Sequence, residues 1–288
     1  MAQILDGKAV AAAVKAEVKE KVNELNKKDI DVCLAVILVG EDPASKIYVS
    51  NKKKTCEALG IISKEFILSS DTKEEELIEL INKLNCDKSV NGILCQLPLP
   101  KGINEKNVLN SISPLKDVDA FHPVNVGKIM IGEYDFAPCT PAGIMEILKF
   151  YNIDPSGKDC VVIGRSNIVG KPMAMLLLHK NGTVTVCHSK TANLKEKCKN
   201  ADILVSAVGI AGFVTADMVN ENAVVIDVGM NRKDGVLCGD VDFEGVSKKV
   251  GYITPVPGGV GPMTIAMLMK NTLTAAFMQN DIYPAEEK

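Results

Sequence analysis

CVVIGRSNIVGKPMAMLLL, residues 160–178, decides the fold class of this chain. A short apolar, β-branched run breaks at a turn and passes straight into an apolar segment of helical character, so the spacing predicts a strand that feeds a helix. Gly164, Ser166 and Gly170 put small residues in that turn, where backbone amides and a helix amino terminus can approach a phosphate. The spacing is G-R-S-x-x-x-G and not G-x-G-x-x-G, because Ser166 stands at the second glycine position and the last glycine comes one residue later. Taken alone, a packing turn in an α/β fold explains it. Its place at the head of a fresh strand and helix series favours nucleotide binding.

Working outward, TVTVCH (183–188), DILVSAVG (202–209) and AVVIDVG (223–229) alternate with helical segments, the pattern of a doubly wound parallel sheet. The same alternation precedes the turn. Val10, Val14, Val18, Val22 and Leu25 recur at intervals of four and three and paint one helical stripe. CLAVILVG (33–40) is a continuous apolar run that suits a strand buried on both faces. Asp42 can cap the following helix, Pro43 fits its first turn and Gly60 can end it. A strand near Lys64 to Leu68, a helix from Lys73 to Leu84 and the strand GILCQ (92–96) follow. The stretch from Ile112 to Cys139 reads as loop-rich, and Pro141 to Tyr151 as a helix capped by Thr140 that could bridge to the second unit. TPVPGGVGPMT (254–264) breaks the pattern with turn residues before a final helix, IAMLMKNTLTAAFM, that returns to the first domain. The expectation is an α/β protein of two β/α domains with a cleft between them, the second a Rossmann-like doubly wound parallel sheet. The boundaries fall at 1–140 plus 266–288 and at 141–265.

Composition agrees with a chain of that kind. At 288 residues, two domains are the natural division. Hydrophobic residues at 47% and charged residues at 24% are the balance of a globular protein with a core in each domain. A net charge of -3 gives no global basic field, which argues against nucleic acid or an anionic membrane as partner. Nine cysteines include no CxxC spacing, so neither a metal site nor a redox pair is expected. The amino terminus lacks the features of a leader, and no window approaches a membrane span, so the cytoplasm is the expected location.

The strand TVTVC carries a cofactor signal. NAD sites usually place an acidic residue near the end of this strand to bind the ribose hydroxyl, and HSKT supplies none. Arg165 and Ser189 could instead bind a 2'-phosphate, which favours NADP. His188 at the strand end is as readily a structural residue. In PASKIYVSNKKKTCEALG, Tyr48 and Lys52 lie four apart and share a helix face, an aromatic plate beside an amine. A surface helix with a solvated lysine run explains that pair equally well on spacing alone. Likewise QLPLP (96–100) reads as a stiff strand exit and KDVDAFHP (116–123) as a polar loop.

Their joint occurrence changes the weighting. Tyr48 with Lys52, NGILCQLPLP, KDVDAFHP, CTPAGI, GRSNIVGKP, HSKT and TPVPGGVGPMT, in this order, resemble the methylenetetrahydrofolate dehydrogenase/cyclohydrolase family from about Ala2 to Phe277. The resemblance implies that Lys52 is the cyclohydrolase lysine, Tyr48 the aromatic that stacks on folate, Gln96 the partner that positions the lysine and Asp119 the carboxylate on the pterin. It makes Leu97 and Pro98 part of the substrate site, and Pro257, Gly258 and Gly259 the loop that shapes the substrate cleft. Gly164, Arg165, Ser166 and Ser189 match NADP contacts, and Met230 a backbone contact. A homodimer through the nucleotide domain is implied. The family's DVD motif is usually followed by Gly, where this chain has Ala120. The long ligase extension found in some relatives has no counterpart, so formate activation is not expected.

The implied chemistry fits the residues. Oxidising a methylene bridge transfers a hydride and removes no proton, so that step needs alignment and exclusion of water, not a protein base. Hydrolysis of the methenyl product moves a proton from water to a ring nitrogen, which calls for one shuttle such as Lys52. Desolvation and the neighbouring methenyl cation would lower the pKa of that amine, while Lys53 and Lys54 are expected to face solvent. Two alternatives remain: a dehydrogenase without cyclohydrolase activity, which would lose the Tyr48, Lys52 and Gln96 set, and a nucleotide-sensing protein without turnover, which leaves Lys52 and Asp119 unexplained.

Overall fold

The computed structural model describes residues 1–282 other than Asp234, and at Ala44 the backbone alone. The chain forms two compact units, Ala13–Ala137 with the segment from Leu268 onward, and Met1–Ala12 with Pro138–Met267.

In the unit built on Ala13–Ala137, the central strand Cys33–Val39 is buried along its whole length. It pairs in parallel with Ile62–Leu68 on one side and with Gly92–Cys95 on the other. Such a strand presents apolar side chains to both faces, which is why its sequence is continuous and not alternating. The edge strand is different: Ile62 and Ile67 are exposed. Segment 116–118 extends the sheet beyond Gly92–Cys95, with the Ile93 amide donating to the Lys116 carbonyl at 2.7 Å and a parallel bridge from Ile93 to Asp117. Helix Pro43–Leu59 is capped as its sequence predicts. Asp42 accepts from the Ser45 amide at 2.7 Å, Pro43 sits in the first turn and Gly60 closes the helix at φ 79°.

In the unit built on Pro138–Met267, six strands form one parallel sheet in the order Gln3–Ile4, Tyr252–Ile253, Val224–Asp227, Ile203–Ser206, Asp159–Ile163, Thr183–Cys187. All the pairings are parallel. The two strands that follow Asp159–Ile163 in the chain lie on opposite sides of it, so the sheet is doubly wound. A small antiparallel hairpin, Asn231–Lys233 with Val236–Cys238, stands outside the sheet.

Four expectations need correction. Residues 1–12 group with the unit built on Pro138–Met267, because Gln3 and Ile4 pair with Tyr252 and Ile253 at the sheet edge. The loop-rich stretch from 112 to 139 also holds a helix that was not expected. Pro123–Ile131 is a helix opened by His122, whose Nδ1 accepts from the Val124 amide at 3.1 Å, and closed by Gly132 at φ 83°. A histidine cap and a β-branched, glycine-containing sequence hid it. Thr140 is not a cap: the helix runs Cys139–Phe150 from Pro138, and the Thr140 hydroxyl lies 3.1 Å from that of Thr264. The final helix starts earlier than its apolar run, at Val260, and extends to Gln279, because Pro262 is tolerated in a first turn where amides are unpaired anyway. Chain beyond Leu268 belongs to the first unit, where Asn271 Nδ2 donates to the Val118 carbonyl at 2.8 Å and to that of Ala137 at 2.9 Å.

Two helical glycines test this packing with opposite signs. A Cβ on Gly7 would fall 1.8 Å from the Gly259 carbonyl oxygen, whereas one on Gly127 meets nothing within 4 Å. Gly127→Ala should stabilise by about 0.5–1 kcal/mol, the ordinary helix preference. Gly7→Ala should instead destabilise by more than about 2 kcal/mol, since backbone must move to admit the methyl. Urea unfolding of the two variants checks the pair, and equal signs would overturn the packing assigned to Gly7.

Candidate functional site

Helix Pro43–Leu59 leaves the carboxyl end of the central strand, and Tyr48 and Lys52 share one of its faces. Tyr48 is 38% exposed, while Lys52 is only 8% exposed. Lys52 Nζ donates to Gln96 Oε1 at 2.7 Å. Gln96 follows strand Gly92–Cys95, and its Nε2 donates to the Leu97 carbonyl at 2.7 Å, which turns the amide oxygen toward the lysine. Leu97 and Pro98, joined by a cis peptide, continue the exit of that strand. Lys53 donates to Glu65 at 3.0 Å, a bond that raises its pKa, and Lys54 is exposed. Neither turns inward with Lys52.

Asp119 emerges where segment 116–118 ends. It is half-buried, and its charge reaches Cys95: burial first, then Asp119, pushes that thiol up to about 12. Lys52, Gln96 and Asp119 therefore stand at the carboxyl edge of one sheet, the side on which open parallel sheets take ligands. Its neighbour Asp117 has a separate, structural part. Asp117 is buried, its pKa is raised by desolvation, and it accepts from the His122 amide and from Asn125 Nδ2, both at 2.8 Å. Ala120, at φ 57° and fully buried, holds the left-handed conformation that glycine takes most readily.

In the other unit, Gly164 has φ 121°, and a Cβ there would sit 2.4 Å from the Ala207 carbonyl oxygen. Only glycine meets both demands. Ser166 Oγ accepts from the amides of Val169 and Gly170 at 3.1 and 3.3 Å, so it organises the turn that leads into helix Gly170–His179. Ile163 pairs with Cys187, and the Gly164 amide donates to the Cys187 carbonyl at 2.9 Å. Arg165 and Ser189 each follow two residues after those partners and are both exposed. His188 is engaged in its turn, with Nδ1 accepting from the Lys190 amide at 3.1 Å. Met230 is exposed, beyond strand Val224–Asp227. Pro257, after a cis peptide, leads into Gly258 and Gly259, which pack against the start of helix Gly7–Asn26.

Sequence reasoning missed Asp227 and Asp240. Asp227 Oδ1 accepts from the Gly229 and Asp240 amides at 2.9 and 2.8 Å, and Oδ2 from the Val241 amide at 3.0 Å. Burial is the larger influence and raises its pKa to about 6. The signals available were the single acid in AVVIDVG (223–229) for Asp227 and GDVDF (239–243) for Asp240, and each resembles an ordinary strand end or polar turn when read alone.

Residues 5–119 match the model of the tetrahydrofolate dehydrogenase/cyclohydrolase catalytic domain, and residues 138–280 that of the tetrahydrofolate dehydrogenase/cyclohydrolase NAD(P)-binding domain. The chain is 61% identical over 279 residues to the bifunctional protein FolD of Acetivibrio thermocellus, covering 96% of this chain and 98% of that one. It resembles the crystal structure of FolD methylenetetrahydrofolate dehydrogenase/cyclohydrolase from Campylobacter jejuni with a TM-score of 0.94 and 54% identity, over 96% of this chain and 99% of that one. The Trypanosoma brucei enzyme, solved with NADP cofactor and inhibitor, gives a TM-score of 0.92 at 39% identity, over 96% and 98%.

Asp227 makes stability depend on pH. Its folded pKa of about 6 lies above the ordinary value for an unfolded aspartate, so its contribution is fully present below about pH 4 and is lost as pH rises through about 6. Asp227→Asn removes this titration. The stability of wild type relative to the variant should be greatest near pH 4 and fall as pH rises through 6, as read by urea unfolding; a difference constant across that range would show that Asp227 does not titrate there.

Proposed function

The chain belongs to the tetrahydrofolate dehydrogenase/cyclohydrolase family, and from that premise we propose that it oxidises 5,10-methylenetetrahydrofolate to 5,10-methenyltetrahydrofolate with NADP and hydrolyses that product to 10-formyltetrahydrofolate. The observation that carries the reading is the Lys52 to Gln96 bond of 2.7 Å at a sheet's carboxyl edge, with Asp119 emerging beside it. A dehydrogenase alone has no use for a buried lysine held by an amide, and a nucleotide sensor has none for the whole first unit.

The residues present fit a dinucleotide. Gly164 removes the side chain that would collide with Ala207, Ser166 shapes the turn, and no acid follows strand Thr183–Cys187 to repel a 2'-phosphate. Arg165 and Ser189 would hold that phosphate, with Met230 contributing through its backbone. Bound NADP supplies the hydride acceptor. For the oxidation the protein has to hold the folate still, and Tyr48 offers its ring to the planar substrate while Asp119 accepts hydrogen bonds from the pterin. Leu97 and Pro98 bound the substrate.

Hydrolysis needs one proton relayed and one released. Water adds to the methenyl carbon and gives one proton to Lys52; that proton passes to the ring nitrogen as the carbon–nitrogen bond breaks, and the hydroxyl left on the carbon releases the other to solvent as it becomes the formyl carbonyl. Gln96 accepts from Lys52 and so fixes where the amine stands for both transfers. The wider reading is of a cytoplasmic homodimer formed through the nucleotide unit, with no nucleic-acid partner, in keeping with a net charge of -3. A single-turnover assay with methylenetetrahydrofolate and NADP tests the function: methenyl absorbance should grow and then decay.

Two substitutions separate the parts. Arg165→Ala should raise KM for NADP roughly ten- to a hundredfold, the worth of a charged hydrogen bond, and leave that for NAD nearly unchanged. Equal effects on both cofactors would remove Arg165 from the 2'-phosphate. Lys52→Met should cut hydrolysis of supplied methenyltetrahydrofolate by roughly two to four orders of magnitude while NADP reduction is far better retained. Methenyl product should then accumulate. Hydrolysis near the wild-type rate would mean that another group carries the proton.

A further inference from the structure

We propose that Asp240 is a positioning residue for the dinucleotide, its buried carboxylate holding the backbone of 208–210 as one wall of the crevice that the Gly164 turn faces. The inference rests on reading this unit as the NADP site. Strands Thr183–Cys187 and Ile203–Ser206 flank Asp159–Ile163, so the winding reverses at the latter. The ligand crevice of such a sheet opens at the carboxyl ends of the two strands on which the reversal falls. Its walls are here the turn at Gly164 and the loop that begins at Ala207. The two touch: the Ala207 amide donates to the Ile163 carbonyl at 2.8 Å, and the Ala207 carbonyl occupies the place a Gly164 side chain would need.

Beyond Ala207 the loop leaves the sheet and its amides lose their ladder partners. Asp240 replaces them. The amides of Val208 and Gly209 donate to Oδ2 at 2.8 and 3.2 Å, and that of Ile210 to Oδ1 at 3.0 Å. Gly209, at φ 69°, lets three successive N–H groups converge on one anion, the geometry of a backbone nest, and the anion is the chain's own carboxylate. Ser206 Oγ at 3.3 Å and Asn231 Nδ2 at 2.9 Å complete the set of donors. Asp240 is 0% exposed, and its own amide is bound to Asp227. Gly229 leaves the carboxylate its place, since a Cβ there would lie 2.3 Å from Asp240 Oδ1. A charge buried this way is costly unless fully hydrogen-bonded. Here it converts a loop with no secondary structure of its own into a fixed surface beside the cofactor turn.

The test is NADPH and NADH affinity by fluorescence titration of the purified full chain, for wild type, Asp240→Asn and Gly209→Ala, with hydrolysis of methenyltetrahydrofolate measured beside it. An amide cannot accept all these donors, so Asp240→Asn should raise Kd at least about tenfold. Gly209→Ala meets no atom within 4 Å but strains the loop's φ, and should raise Kd about threefold. Both cofactors should weaken alike, since this wall does not meet the 2'-phosphate, and hydrolysis, which uses no cofactor, should stay within about twofold of wild type. A folded Asp240→Asn with Kd within twofold of wild type overturns the proposal. So does loss of binding and hydrolysis together with the unfolding midpoint, which marks a purely structural residue. If Asp240→Asn does not fold, Gly209→Ala decides, and an unchanged Kd sinks the idea. Wild type that neither binds NADPH nor hydrolyses the methenyl compound defeats the functional reading itself, a result distinct from the others.

Discussion

A parallel strand buried on both faces cannot display chemistry along its length. Cys33–Val39 and Asp159–Ile163 are such strands, enclosed by neighbours and helices, and every polar group the fold can offer a ligand must come after their carboxyl ends. This constraint orders both units. Lys52 stands on the helix that leaves one strand, Gln96 at the end of the next, and Asp119 where the added segment stops. Gly164, Arg165, Ser189 and Met230 repeat that placement in the other sheet. The rest of the chain serves to set these ends at the right height.

The loops beyond those ends are held by side chains that bind backbone. Lys116 Nζ donates to the carbonyls of Leu84 and Asp87 at 2.9 and 2.7 Å, closing the end of helix Glu74–Cys86. Asp117 gathers His122 and Asn125, Asn271 ties down Val118 and Ala137, and Asp227 collects the amides of 229, 240 and 241. Buried groups of this kind demand full pairing, because an unmade hydrogen bond in a dry site costs more than a made one contributes. The benefit is precision where secondary structure has run out. Lys52 and Gln96 are placed by the same means, one amide oriented by the Leu97 carbonyl.

What was legible in the sequence follows from the range of the forces involved. Strand cores, the stripe from Val10 to Leu25, and the Asp42, Pro43 and Gly60 punctuation are local signals, and the structure reproduces them. Tyr48 and Lys52 could be placed on one face from helical spacing alone. The misses are non-local or atypical. The pairing of Gln3 and Ile4 with Tyr252 and Ile253 joins residues some 250 apart in the chain, and no pattern within either segment announces it. Helix Pro123–Ile131 depends on an uncommon histidine cap. Asp227 and Asp240 were invisible as a pair because most of their partners are backbone amides, which every residue but proline possesses.

Two of the points at which the chain changes unit, after Ala12 and after Met267, fall inside the helices Gly7–Asn26 and Val260–Gln279. Neither is a linker. A gene segment encoding one unit cannot be cut out at those points without leaving half a helix behind, with Asn271 separated from the pieces that precede it. The architecture therefore resists the modular shuffling by which nucleotide-binding domains are passed between proteins. Recombination would have to carry the whole chain as one cassette, or graft new material at loop tips, and the two activities would be inherited together.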